Sequence, residues 1–131
     1  MIETTPEFIR LRSSENPDEY SRASSKPASE GTWHQVITSY SEMAFWVVQN
    51  KTVPLSILEL LANHVDPRVR SAVARKRKLT YAMFEYLSGD EDESVRLAIA
   101  LNKKTPLPII AKLVNDDSLL VANAARKSMN A

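Results

Sequence analysis

The sequence predicts an all-α protein, a right-handed α-α superhelix (a solenoid) built from about three to four two-helix repeats. Two observations support this prediction. Apolar residues recur with an offset of 26 residues, and within each copy they follow the three- and four-residue spacing of an α-helix. The offset aligns successive copies without a gap. The aligned apolar positions include Val69, Val95 and Val121, then Leu58, Phe84 and Ile110, and finally Leu61, Leu87 and Leu113.

Each repeat is predicted to contain two helices whose apolar stripes are too narrow to be buried alone. Stacking of successive helix pairs would bury these stripes in a continuous core, as in other helical-repeat proteins. Side chains that accept hydrogen bonds stand where the helices should begin, and two of them are followed directly by proline. The predicted N-caps are Asp66, Thr80, Ser94 and Thr105.

The ends of the chain depart from the repeat. Residues 1–16 are polar and lack periodicity, so we expect a flexible tail followed by a single helical-repeat domain over 17–131. Within that domain, 17–42 would form a degenerate first unit and 43–128 the regular repeats. Aromatic residues gather where the degenerate and regular parts meet, and they predict an N-terminal cap on the array. These residues are Trp33, Tyr40, Phe45 and Trp46.

Composition argues against most kinds of active site. The chain has 131 residues and no cysteine, which excludes disulfides, thiolate chemistry and cysteine-ligated metals. Its two histidines, His34 and His64, fall on unaligned positions, and no phosphate-binding glycine loop or metal-ligand spacing is present. No apolar run approaches the roughly 18 residues that span a bilayer. We therefore expect a cytoplasmic, non-enzymatic protein without metal, cofactor or membrane segment.

Charge alternates along the predicted array. Turns within a repeat are basic, whereas turns between repeats are acidic and are expected to be exposed. The basic candidates are Lys51, Arg75, Arg77, Lys78, Lys103 and Lys104, and the acidic turns contain Asp66, Asp90–Glu93 and Asp116–Asp117. Complementing the helix dipoles, at about 0.3–1 kcal/mol per charge, accounts for this pattern on structural grounds. A functional interpretation is that the basic edge binds phosphate or an acidic partner protein.

A second candidate surface lies beside the core face of the second helices. Leu55 and Tyr81 share one repeat position, and Glu85 and Tyr86 follow on the same helix as Tyr81. A partly exposed tyrosine often anchors a protein interface, because its ring is apolar and its hydroxyl is polar. These four residues therefore either contact a protein partner or seal the groove between adjacent repeats.

Two segments carry a family resemblance. Asp66–Ala74 (DPRVRSAVA) and Glu93–Ala100 (ESVRLAIA), each followed by a basic turn and a short leucine-rich helix, resemble HEAT-like bacterial repeats, most closely the leucine-rich-repeat-variant group. The resemblance covers about 43–128 and implies a helical solenoid with a binding surface. One founding type of that group binds an iron–sulfur cluster through cysteines, a feature that this cysteine-free chain does not share. Other HEAT-like proteins are DNA glycosylases, scaffolds, and inhibitor or immunity-type partners.

The sequence thus predicts a non-catalytic protein-binding module or scaffold. One alternative is a nucleic-acid-binding helical repeat that uses the basic edge, including a glycosylase-like enzyme. The chain has a net charge of only +1, which argues against this alternative, because Lys and Arg supply most of the affinity for nucleic acid. Another alternative is a structural subunit that self-associates through Leu119 and Leu120. The predicted oligomeric state is a monomer or a weak homodimer formed by the C-terminal helix.

Overall fold

The computed structural model describes residues 29–39 and 43–130, and within them it contains eight α-helices and no strand. The all-α class is therefore confirmed. The helices are α1 Glu30–Ser39, α2 Ala44–Gln49, α3 Leu55–Leu61, α4 Pro67–Ala74, α5 Tyr81–Ser88, α6 Glu93–Leu101, α7 Leu107–Leu113 and α8 Leu119–Met129. None of these helices has the length and apolar character needed to cross a membrane. The chain divides into two compact units, Met1–Leu61 and Ala62–Ala131. The predicted tail 1–16, most of the degenerate unit and Tyr40 lie outside the described residues.

The first unit holds α1 to α3, and each of these helices contacts the other two. Ser29 precedes α1, and its hydroxyl accepts a hydrogen bond from the backbone N–H of Thr32 at 3.1 Å. Trp33 is fully buried one turn further along. The rings of Phe45 and Trp46 pack edge to face with centroids 5.0 Å apart, an arrangement that their quadrupoles favour.

The second unit holds α4 to α8. Helix α6 packs against both α4 and α8, while α5 and α7 contact each other and α6. Its core consists of the apolar positions that the 26-residue offset aligned. Val69, Val95 and Val121 are each at most 2% exposed, and Phe84 and Ile110 are each 3% exposed. The apolar alignment therefore identified buried positions correctly in this unit.

Two of the four predicted N-caps are confirmed. The carboxylate of Asp66 accepts from the backbone N–H of Arg68 at 2.8 Å, and the hydroxyl of Thr80 accepts from that of Met83 at 3.2 Å. Such caps satisfy backbone donors that have no partner within the helix.

The other two predicted caps are wrong. Helix α6 begins at Glu93, so Asp92 caps it and accepts from the backbone N–H of Ser94 at 2.8 Å. The Ser94 hydroxyl also donates to Asp92, and this hydrogen bond lowers the pKa of the carboxyl. Thr105 is buried, and its hydroxyl donates to the carbonyl oxygen of Ile99 at 2.7 Å. Thr105 thus satisfies an acceptor at the end of α6 and does not begin α7.

Two arginine–aspartate pairs connect successive turns of the second unit. Arg70 Nε lies 2.8 Å from Asp90 Oδ2, and Arg96 Nε lies 2.9 Å from Asp116 Oδ2. The side chains of Asp90 and Asp116 are only 7% and 9% exposed, so the expectation that these acids lie in exposed turns is wrong. Their hydrogen bonds raise the pKa of both arginines. The burial follows from the pairing, since a carboxylate leaves water readily only with a compensating partner.

Each of these arginines also binds the turn before its own helix. Arg70 Nη1 donates to the carbonyl oxygen of His64 at 2.8 Å, and Arg96 Nη1 donates to that of Asp90 at 2.8 Å. One guanidinium therefore fixes two turns that are separated by a helix pair in the sequence. The equivalent position in the last helix, Ala122, carries no such group.

Candidate functional site

Three of the predicted basic residues surround one open cleft in the second unit. Arg75 and Arg77 follow α4, Lys103 follows α6, and the cleft has a volume of about 350 Å³. All three side chains are exposed. No carboxylate within the described segments forms an ion pair with any of them. Their charges are therefore available to a ligand.

Asn102 holds the two basic turns side by side. This residue follows the last residue of α6 and is buried, at 8% exposure. Its Nδ2 donates to the carbonyl oxygens of Ala74 and Lys76, at 2.9 and 2.8 Å. Its Oδ1 accepts from the backbone N–H of Lys104 at 2.9 Å. One amide thus joins the turn after α4 to the turn after α6, which positions the three cations around the cleft.

The floor of the cleft is one face of α6. Leu97, Ala98 and Leu101 contribute apolar surface, with Ser94 on the same face one turn before. Leu97 is half-buried and Leu101 is 62% exposed. An exposed leucine forgoes part of the roughly 1.5–3 kcal/mol that full burial of such a side chain supplies. The cleft therefore combines exposed cations with apolar surface that is accessible to a ligand.

The polar groups of the floor are already used within the protein. The Asn102 amide makes the three hydrogen bonds given above, and the Ser94 hydroxyl donates to Asp92. Lys76 lies between the two arginines in the sequence but is half-buried, and this burial lowers its pKa. The recognition chemistry of the cleft thus rests on the exposed cations and the leucines.

The remaining basic candidates are exposed but lie apart from the cleft lining. Lys78 and Lys104 stand in the same two turns, and Lys51 belongs to the first unit, in the turn after α2. The structure therefore brings together half of the six cations that the sequence singled out.

Sequence reasoning missed the two leucines of the cleft floor, although the repeat contains a signal for one of them. Gln49, Arg75 and Lys127 occupy the repeat position of Leu101, whereas that of Leu97 is occupied by Phe45 as well as by Ser71 and Asn123. An apolar residue at a position that is polar in the other copies indicates a local role rather than a role in the shared core. Alignment for shared residues alone passes over such positions.

The tyrosine surface is exposed but is not gathered into one site. Tyr81 is 52% and Tyr86 57% exposed on α5, with Glu85 exposed between them. The Tyr86 hydroxyl donates to Asn63 Oδ1, and Tyr86 lines a second cleft of about 520 Å³ that excludes Tyr81. Leu55 is 39% exposed in the first unit.

Replacement of Tyr81 by alanine should change the free energy of unfolding by no more than about 0.5 kcal/mol, because half of the side chain already contacts water. Urea denaturation followed by far-ultraviolet circular dichroism measures the change. Tyr81→Phe serves as a control that removes only the hydroxyl. A loss several times larger would assign the ring to packing and remove Tyr81 from the candidate contact surface.

The histidines and acidic residues do not form a site of their own. Among the residues that the structure describes, no three or more histidine, cysteine or acidic side chains are placed to hold a metal ion. His34 is exposed on α1. His64 Nδ1 accepts from the backbone N–H of Asp66 at 3.0 Å, as Asp90 does from Asp92 at 2.9 Å. His64 and Asp90 thus each accept a hydrogen bond from the backbone N–H two residues later in their turns.

Leu119 and Leu120, the residues proposed for self-association, are 74% and 61% exposed at the start of α8.

Comparison of the chain with family models, with curated proteins and with solved structures finds no match.

Proposed function

We propose that this protein is a non-catalytic binding module that holds a partner protein at the cleft between its two basic turns. The observation that carries the proposal is the juxtaposition of Arg75, Arg77 and Lys103 around the exposed Leu101, with none of the three cations ion-paired to a described carboxylate. An exposed apolar patch that is rimmed by polar residues is a feature of protein–protein interaction sites. We also propose a cytoplasmic location, which the absence of cysteine from the sequence supports.

The architecture that we propose for this module is a right-handed solenoid of HEAT-like repeats with a period of 26 residues. Support comes from the second unit, where apolar positions spaced by 26 residues are buried alike and where the pair Arg70–Asp90 recurs as Arg96–Asp116. Repeats of this kind commonly present extended binding surfaces. Fold does not determine function, so the proposal rests on the cleft and not on the architecture.

A protein partner fits the cleft better than a nucleic acid does. Affinity for nucleic acid comes mainly from many Lys and Arg side chains along a backbone, and single strands add stacking on aromatic rings. The described lining of the cleft has three cations and no aromatic residue, and the whole chain has a net charge of +1. The half-buried Leu97 and the exposed Leu101, by contrast, match the apolar centre of a protein interface.

Charge reversal tests the proposal. The full chain is immobilised and incubated with native extract, with and without nuclease, and captured proteins are identified by mass spectrometry. We expect a defined partner that the parent retains after nuclease treatment and that the double variant Arg77→Glu, Lys103→Glu loses. The matched control is Lys112→Glu with Arg126→Glu, which changes the net charge equally at exposed residues outside the cleft.

Two outcomes would contradict the proposed function. Retention of the partner by the double variant would place binding elsewhere on the protein. A nucleic-acid mobility shift by the parent at modest salt, lost in the double variant and without any captured protein, would replace the proposed function with the nucleic-acid alternative.

A further inference from the structure

The two kinds of chemistry in the basic cleft constrain what the partner must present. Arg75, Arg77 and Lys103 supply positive charge from two turns, and guanidinium groups bind carboxylates with two parallel hydrogen bonds. Among the described residues that line the cleft, none is acidic and would compete for these cations. The complementary partner therefore carries carboxylates that face the two turns.

The apolar part of the cleft adds a second requirement. Leu97 and Leu101 are four residues apart on α6, so they lie next to each other on one helix face. Together with Ala98 they form an apolar strip that no helix of the second unit fully covers, since Leu101 remains 62% exposed. A large apolar side chain of the partner, set among its carboxylates, would cover this strip and remove it from water.

Other anionic ligands fit the cleft less well than an acidic protein segment does. The sugar–phosphate backbone of a nucleic acid offers charge but nothing to cover the leucines, and the lining has no aromatic ring for a base to stack on. A membrane surface offers both, but stable attachment needs a larger apolar or polybasic patch than two leucines and three cations provide. An acidic protein segment with an apolar anchor meets both requirements at the scale of this cleft.

We infer that the cleft binds an acidic segment of the partner protein through one large apolar side chain placed on Leu97 and Leu101, with flanking carboxylates at Arg75, Arg77 and Lys103. This inference rests on the proposed function and specifies the chemistry of its partner. Both halves of the recognition are needed: the cations select acidic segments, and the leucines select those that carry an apolar residue.

Fluorescence anisotropy with short synthetic peptides tests the inference on the full chain. The first probe is acidic with a central leucine, the second replaces that leucine by serine, and the third keeps the leucine but replaces every acid by its amide. We expect the first peptide to bind at least about tenfold more tightly than either of the others. Single-stranded DNA and vesicles of phosphatidylglycerol in phosphatidylcholine are tested in parallel and should bind no better than the second peptide.

Matched variants test which residues bind the carboxylates of the peptide and which bind its apolar side chain. Leu101→Ser should weaken binding of the first peptide by about tenfold and leave the second unchanged, while Arg77→Glu should weaken both. Leu107→Ser and Lys112→Glu are the controls, because Leu107 is 66% exposed and Lys112 is exposed, and neither lines the cleft. Neither control should alter binding.

Three outcomes would overturn the inference, and they differ in what they say about the proposed function. Equal binding of the first two peptides, both lost in Arg77→Glu, removes the apolar anchor but leaves a basic site for an acidic protein. Tighter binding of DNA or vesicles, dependent on Arg77, removes the protein partner as well. Absence of binding to every probe removes the acidic segment, and capture from extract then decides the proposed function independently.

Discussion

Replacement of Arg96 by alanine should lower the free energy of unfolding by about 3 kcal/mol. Removing one partner of a buried ion pair leaves the other charge without compensation, which typically costs about 3–5 kcal/mol. We take the lower end of that range because the Arg96 side chain retains 18% exposure. The change also removes the hydrogen bond to the Asp90 carbonyl oxygen. Urea denaturation of the parent and the variant at neutral pH measures the difference.

Arg68→Ala is the control for this prediction. Arg68 pairs with Asp66 at 2.8 Å, as short a contact as that of Arg96, but its side chain is 83% exposed. An ion pair in water contributes little, so the urea midpoint should barely move. The double variant Arg96→Met, Asp116→Leu should recover part of the lost stability, because it leaves no unpaired charge. Recovery should be incomplete, because the Asp90 carbonyl oxygen and the Ser118 backbone N–H still lose their partners. Equal effects of Arg96→Ala and Arg68→Ala would contradict the structural role of the buried pairs.

Replacement of Phe84 by alanine should cost about 3–5 kcal/mol, the usual range for removing a buried aromatic side chain. Phe84 is 3% exposed in α5 and occupies the same repeat position as Ile110, which is 3% exposed in α7. Two contributions make up this loss. The variant no longer gains the free energy of transferring the ring from water into the core, and the folded state contains a cavity where the ring was. Thermal and urea denaturation both report it.

Tyr81→Ala in the same helix provides the comparison, since it removes a ring of similar size that is 52% exposed. The two substitutions should differ by several kilocalories per mole although only three positions separate them. If Phe84→Ala were as mild as Tyr81→Ala, the residues that the repeat aligns would not form the core of the second unit.

The fold class and the buried positions of the second unit could be predicted because they follow from periodicity. A residue such as Val95 must be apolar in every copy, so alignment reveals it, and its full burial confirms the prediction. The N-caps of α6 and α7 were less predictable. Several polar residues stand near each helix start, and only the backbone geometry decides that Asp92 rather than Ser94 accepts the first hydrogen bond.

The candidate site was predicted only in part, for a related reason. Repetition marks Arg77 and Lys103 as one basic position, but it does not show that Asn102 joins their turns. It also hides Leu101, which is informative because it departs from its counterparts. The burial of Asp90 was missed because its partner Arg70 is twenty residues away, and net charge along a turn does not show which acids are paired.

Because Ala122 has no guanidinium group, α8 is attached to the second unit differently from α4 and α6. Arg70 and Arg96 each connect two successive turns by pairing with Asp90 and Asp116. Ala122 occupies the next repeat position and cannot form such a pair. Helix α8 is held by its buried Val121, Ala122 and Ala125. It also forms hydrogen bonds from the Ser128 hydroxyl to the Ala100 carbonyl oxygen and from Arg126 Nη2 to the Val114 carbonyl oxygen. The attachment of α8 therefore depends on apolar packing and hydrogen bonds, whereas that of α4 and α6 also depends on a buried ion pair.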